Sequence, residues 1–166
     1  MTKIAEFRPE WADAVDQIHV EAFGGVGERD LVRALRAAGD AVVELVAHEG
    51  DSVLGHVCFS PLSVEPPTIR IAALAPVAVM PARQGLGIGD TLIRDGLVYC
   101  TERGFDAVTV LGDPDYYRRF GFTRGAARAL KSVYSGPAYQ ALSLRDGALE
   151  GGAWTVRYPG AFESLD

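Results

Sequence analysis

The sequence predicts a mixed α/β domain, on three observations. Its 166 residues, 48% of them apolar, can bury one ordinary core and are too few for two comfortable ones. Segments with strand character alternate with segments of helical period along the chain. Between residues 76 and 97 the stretch PVAVMPARQGLGIGDTLIRDGL passes from β-branched residues, through glycines at 85, 87 and 89, into a helical pattern. That is a strand-to-helix turn. With no internal repeat, low-complexity tract or long linker, the expected organisation is a single domain over 1–166, with 123–166 its least legible portion.

Lys3 to Arg8 reads as a short first strand, after which Pro9 opens a helix on which Trp11, Val15, Ile18 and Ala22 recur at helical spacing. Gly24-Gly25-Val26-Gly27 breaks that helix. A second, Glu28 to Ala38, places Leu31, Val32 and Leu35 on one face and stops at Gly39. Residues 41–50 and 52–62 read as two strands joined by a hairpin at Glu49-Gly50-Asp51. After Pro66-Pro67, residues 68–80 read as a longer central strand. Pro76 lies inside it and cannot donate to a ladder, so it marks a bulge or a place where the strand parts from its neighbour. From Gly89 a third helix puts Ile93, Gly96, Leu97 and Cys100 on one face, with Gly104 as its stop. Residues 106–112 form another strand, and 139–145 and 154–160 read as late strands with Gly151-Gly152 turning between them.

Charge and composition exclude several function classes. Sixteen Lys and Arg against 22 Asp and Glu give a net charge of −6, poor equipment for neutralising a phosphate backbone, so no nucleic-acid partner is expected. Lys3, Glu6, Arg8, Glu10, Asp13 and Asp16 interrupt any apolar signal core, and the longest apolar run, Ile71 to Met80, is too short to span a bilayer. A soluble cytoplasmic protein with no membrane partner is expected. Cys58 and Cys100 make no CxxC pair and sit in apolar patterns, which predicts buried, reduced thiols. His19, His48 and His56 have no metal-ligand spacing with the cysteines or with each other, so no metal is expected.

The alternating glycines demand a chemical reason. A helix start leaves several backbone N–H groups without partners and carries partial positive charge, and glycine there lets an anion approach the backbone. Two phosphate loops fit badly. No Gly-Lys-Ser/Thr ending follows as in a P-loop, and Gly85-Leu86-Gly87-Ile88-Gly89 has GxGxG spacing where a dinucleotide fold wants GxGxxG, with Asp90 at the required glycine.

The frame around the glycines, Val77-Ala78-Val79-Met80-Pro81-Ala82-Arg83-Gln84-Gly85-Leu86-Gly87-Ile88-Gly89, resembles the acyl-CoA loop of the GNAT superfamily of N-acyltransferases. That signature is Gln or Arg, two residues, Gly, one residue, then Gly or Ala, and Gln84, Gly87 and Gly89 match it. The segment YYRRFGF at 116–122 is similar to the same superfamily's closing helix and strand, where a Tyr precedes a Gly-Phe pair by four residues; here it is Tyr117. The likeness covers 74–122 as motif and 1 to about 126 as topology, and it is closest to the YhbS-like branch. It implies a GNAT-type central mixed, mostly antiparallel sheet with helices on both faces.

The resemblance also implies an acetyl-CoA site built from backbone, with no metal. The pyrophosphate would lie on N–H groups from Gly85 through Leu86, Gly87, Ile88 and Gly89 to Asp90, and the pantetheine would pair with the main chain at Val77 and Val79. The reaction implied is direct attack of a primary amine on the acetyl carbonyl, in a ternary complex, with loss of CoA thiolate. Tyr117 matches the family's acid position. Many members place a basic carboxylate on the central strands, but Leu74 to Val79 hold none. Glu28, Asp113 and His56 are the candidates left for the base or for amine binding, and each also has an ordinary structural reading as first-turn, cap and strand residue. A chain of waters is a further alternative.

The acceptor would be a small-molecule or peptide amine, cationic at neutral pH, in view of the acidic balance and of Glu21, Glu28, Asp30, Asp113 and Asp115. A homodimer is compatible with the sequence, which does not decide the oligomeric state. Two other function classes stay open. One is a non-catalytic acyl-CoA-binding regulatory module. The other is an NAD(P)-type dinucleotide binder with Asp106 as ribose ligand.

Overall fold

The computed structural model describes residues 1–165. In chain order the elements are β1 (Lys3–Glu6), α1 (Ala12–Phe23), α2 (Gly27–Ala37), β2 (Val43–Glu49), β3 (Ser52–Pro61), β4 (Ser63–Glu65), β5 (Ile71–Val79), α3 (Ile88–Glu102), β6 (Ala107–Leu111), α4 (Pro114–Tyr117), α5 (Arg124–Ala127), β7 (Leu130–Lys131), β8 (Tyr139–Ser143) and β9 (Trp154–Arg157), with short 3-10 turns between some of them. The hydrogen-bonded order of the main sheet is β1-β2-β3-β5-β6-β8, and β4-β9-β7 form a second, smaller sheet. In the main sheet β1–β2, β2–β3 and β6–β8 are antiparallel and β5–β6 is parallel. This is the mixed, mostly antiparallel sheet expected. Two compact units share it, one comprising Met1–Ser60, Ala75–Gly96 and the stretch from Gly160, the other Pro61–Leu74 and Leu97–Pro159.

In the first unit the sequence dictates the elements closely. Pro9 opens a 3-10 turn, Pro9–Trp11, that runs into α1, and Gly24 closes α1 in the left-handed conformation at φ +73°. Trp11, Val15 and Ile18 pack with Val46, Val53 and Ala78, so α1 covers the sheet face that carries Val46 and Ala78. Val46 pairs directly with His56, which therefore shares that face. The opposite face takes the start of α3, where a Cβ on Gly55 would meet Leu92 at 3.0 Å and Ile88 at 3.3 Å. The β2–β3 hairpin slips register between Ala47 and His48, a bulge that the sequence pattern did not announce.

In the second unit β5 pairs with β6 only at Ile71–Ala73 against Ala107–Thr109. Strand β5 itself continues to Val79. The pairing thus stops three residues before Pro76, the position where a parting was expected. The second sheet packs into a core shared with the main sheet of this unit, where Leu130, Trp154 and Val156 cluster with Ile71, Ala107, Tyr139 and Ala141. Strands β8 and β9 fall within the late strands read from the sequence. Strands β4 and β7, of three and two residues, are too short to show a period.

Candidate active site

The glycine turn lies in the first unit and has the shape that an anion cradle needs. Gly85 and Gly87 adopt φ of +79° and +83°, which L-residues avoid, and a Cβ on either would meet nothing within 4 Å. The space in front of both is open. Helix α3 starts at Ile88, and Thr91 is the residue whose N–H returns to the carbonyl of Gly87 at 3.1 Å, reinforced by its hydroxyl at 3.0 Å. The N–H groups of Gly87, Ile88 and Gly89 therefore stand ahead of the helix ladder, at its positive end. Gly89 itself is helical and makes no left-handed bend. Leu86 is 67% exposed between the two left-handed glycines, whereas Ile88 is buried and anchors the helix start. Gln84 reaches back, its Nε2 donating to the carbonyl of Val79 at 3.0 Å, which ties the turn to the end of β5. Val77 and Val79 are half-buried and alternate with buried Pro76 and Ala78.

The second unit holds the Tyr117 segment. Asp113 caps the four-residue α4, its carboxylate accepting the N–H of Asp115 at 3.0 Å. That gives Asp113 a structural role. The Tyr117 ring packs edge-on to Tyr116 and Phe122, and its hydroxyl has no hydrogen-bond partner among the described residues. A Cβ on Gly112 would lie 2.7 Å from the Tyr117 ring, so glycine at 112 is what makes room for it. Burial, and then the Asp113 charge, push the phenol above its ordinary value, which keeps it protonated. Asp106, the ribose ligand of the dinucleotide alternative, is already engaged by the Arg70 N–H at 2.8 Å and by Arg145 at 2.8 Å.

Of the carboxylates expected near an amine, most are spoken for. Asp30 pairs with Arg29, Asp115 with Arg118, and Glu21 accepts from Gln17. Glu28, half-buried in the first turn of α2, has no charged or hydrogen-bonding partner among the described residues. His56 is not a solitary strand histidine. Its Nε2 lies 2.6 Å from Glu44 Oε2, and its Nδ1 lies 2.8 Å from Nε2 of His19 on α1. Arg36 of α2 forks onto the same Glu44 carboxylate at 2.6 to 3.2 Å. All four belong to the first unit. The sequence reading missed Glu44, Arg36 and His19 as a group. The available signal was a pair of polar residues, Glu44 and His56, each in the middle of an apolar strand of one hairpin.

Burial, and then the neighbouring His56 and Arg36, push His19 down to about 3, and burial lowers His56 as well. Burial opposes the charge on Glu44, but the bonds from His56 and Arg36 prevail and hold it below the usual carboxylate range. Both rings are therefore neutral when folded and gain a proton near pH 6.5 when unfolded. The unfolded chain binds more protons, so stability falls as pH falls from about 6.5, with His19 contributing about 1.4 kcal/mol per pH unit above its folded value of about 3 and His56 acting in the same direction. Urea midpoints should decline steeply from pH 6.5 to 4. A flat profile over that window contradicts two buried neutral histidines.

Among the described residues no group of His, Cys, Asp and Glu is arranged to hold a metal ion, and no helix is long and apolar enough to cross a membrane. Cys58 and Cys100 are free and buried, and burial pushes the Cys100 thiol up to about 12.

Comparison with known proteins gives a consistent picture. The profile of the Acetyltransferase (GNAT) family matches residues 12–122. The uncharacterized N-acetyltransferase YhbS of Escherichia coli (strain K12) is 35% identical over 150 residues, covering 89% of this chain and 90% of that protein. The crystal structure of Escherichia coli YhbS, in complex with CoA, superposes with a TM-score of 0.91 at 34% identity, covering 98% of this chain and 92% of that one. A GNAT family acetyltransferase from Brucella melitensis, in complex with acetyl-CoA, gives a TM-score of 0.83 at 35% identity, covering 98% of both chains.

Proposed function

The chain belongs to the acetyltransferase (GNAT) family, and from that premise we propose that it moves an acetyl group from acetyl-CoA to the primary amine of a small-molecule or peptide acceptor. The observation that carries this is the open cradle at Gly85 and Gly87, set where α3 begins and tied by Gln84 to β5. Any side chain on either glycine would project into the space that a pyrophosphate needs, and the N–H groups of Gly87, Ile88 and Gly89 supply donors for it. The early end of the β5–β6 pairing supports a pantetheine lying along the main chain at Val77 and Val79. The related structures from Escherichia coli and Brucella melitensis hold CoA and acetyl-CoA.

In the reaction the neutral amine nitrogen attacks the thioester carbonyl, the C–N bond forms, the nitrogen releases its extra proton to water, and the C–S bond of the tetrahedral intermediate then breaks. The departing sulfur takes a proton from the Tyr117 phenol, which recovers one from solvent. A main-chain N–H on β5 aimed at the oxyanion would contribute about 10²- to 10³-fold in rate. Glu28, a carboxylate at the head of α2 without a partner among the described residues, and the net charge of −6 favour an acceptor that arrives as an ammonium ion.

Acetyl-CoA at 100 times its dissociation constant should raise stability by about 2.7 kcal/mol, read as a thermal shift that NAD does not produce. A panel of amines, followed by release of free CoA thiol at low and high salt, then names the acceptor. No shift with any acyl-CoA overturns the cofactor assignment. A shift with no thiol release on any amine leaves a binding module and overturns the enzymatic reading.

A further inference from the structure

Charge is distributed unevenly along this acidic chain. Six of its 16 Lys and Arg, and none of its 22 Asp and Glu, lie between residues 116 and 145. Three of those six are engaged within the second unit. Arg118 pairs with Asp115, Arg119 lies over the Tyr116 ring, and Arg145 pairs with Asp106. Arg124, Arg128 and Lys131 are exposed, and their side chains make no ion pair, hydrogen bond or ring contact among the described residues. These three line one cavity of about 320 Å³, together with Ser135, Leu130 and Tyr139, and no Asp or Glu is among its lining residues. Like charges gathered in one recess repel one another, and an anion between them turns repulsion into attraction.

The walls of this recess are held by the fold itself. Arg124 and Arg128, four residues apart, belong to the single turn of α5, and residues at that spacing share a helix side. Thr123 caps the turn by accepting the Ala126 N–H at 3.0 Å, and its own N–H and carbonyl exchange hydrogen bonds with Ala141 of β8, both at 3.0 Å. Lys131 stands on β7, paired with Thr155 of β9. The third wall is a turn in which the Ser135 N–H donates to the Ser132 carbonyl at 3.1 Å and the Ser132 N–H donates to the Ser135 hydroxyl oxygen at 3.0 Å. That hydroxyl keeps its own proton to donate. Leu130 and Tyr139, each 2% exposed, form the base. Three separately anchored elements thus bring three cations and one hydroxyl donor together over an apolar floor.

We propose that this cavity binds the phosphate or carboxylate group of a small molecule, at a site that shares no residue with the glycine turn. The two guanidinium groups match the paired oxygens of such an oxyanion, Lys131 adds a point charge, and Ser135 donates an O–H. The volume exceeds that of a bare ion and reaches the range of small-molecule sites, so the rest of the ligand lies over Leu130 and the Tyr139 ring. An apolar or aromatic body suits that floor. The site stands independently of the acetyl-transfer reading, because no step of that reaction is assigned to these residues.

Inorganic phosphate, phenyl phosphate and benzoate are the probes, titrated into the full chain in about 0.15 M sodium chloride, which screens diffuse attraction. Proton–nitrogen spectra of the arginine Nε–H groups should show saturable shifts at Arg124 and Arg128, with Arg118, Arg119 and Arg145 unmoved. Phenyl phosphate should bind more tightly than inorganic phosphate, and its ranking against benzoate tells phosphate from carboxylate. Arg124→Gln combined with Arg128→Gln removes two exposed charges that hold nothing in the fold. It should weaken phenyl phosphate about 10- to 100-fold, the loss expected for a hydrogen bond to a charged group. Acetyl-CoA affinity, read by calorimetry, should be the same in that variant. No saturable shift with any probe overturns the proposal, and that titration stands even if the variant does not fold. Undiminished phenyl phosphate binding by the variant overturns it equally. An acetyl-CoA affinity that falls alongside it assigns the cavity to the cofactor and overturns a separate site. Absence of acetyl-CoA turnover on any amine, by contrast, removes only the acetyl-transfer reading.

Discussion

Tyr117→Phe should lower kcat by about 10²- to 10⁴-fold while leaving acetyl-CoA binding nearly unchanged, because the lost hydroxyl acts on charge that develops only as sulfur departs. The packing makes this a clean substitution. The ring rests against Phe120, Phe122 and the space left by Gly112, contacts that phenylalanine keeps, and the hydroxyl has no partner among the described residues to leave stranded. The change therefore removes one proton and little packing. Tyr116→Phe is the internal control, since its ring stands edge-on to that of Tyr117, with centroids 5.0 Å apart. Steady-state kinetics on both variants decides. Near-full turnover in Tyr117→Phe moves proton delivery to water, and a crippled Tyr116→Phe shifts the family register by one residue.

Gly87→Val should abolish acetyl-CoA binding without unfolding the chain. At φ +83° a β-branched residue is strained by about 1–3 kcal/mol, a fraction of ordinary domain stability. No atom lies within 4 Å of the added Cβ, so strain is not compounded by a clash. That same open space is the proposed cradle. The isopropyl group would stand in it and turn the N–H groups behind it away from a pyrophosphate. Isothermal calorimetry with acetyl-CoA, alongside a far-ultraviolet spectrum of the variant, measures both halves. Retained affinity means that the phosphates lie elsewhere.

What the sequence makes legible is whatever depends on local backbone chemistry. Alternating glycines before a helix announce the left-handed turn, and a proline inside an apolar strand announces a parting, since both effects act within a few residues. Motif order then leads to the family. The buried line of Arg36, Glu44, His56 and His19 is different in kind. Glu44 and His56 are twelve residues apart and His19 and His56 thirty-seven, and each has an innocent reading alone. Only the hairpin register, which sets Val46 against His56, brings Glu44 diagonally within reach of that ring. Strands β4 and β7 of the small sheet were illegible for another reason. Three and two residues long, they are held by pairing with the distant β9, Ser63 with Arg157 and Leu130 with Trp154, which leaves no periodic trace.

Gly96 bears on the cradle from eight residues away. A Cβ there would come within 2.3 Å of the Phe59 ring, so the absence of a side chain lets α3 settle directly onto β3. A helix is a stiff rod over such a length, and its first turn cannot sink or rise independently of its middle. The depth at which the N–H groups at the head of α3 are held is therefore set by how closely the helix seats on that phenylalanine. The glycine loop presents the donors, and the seat beneath it determines how far they reach.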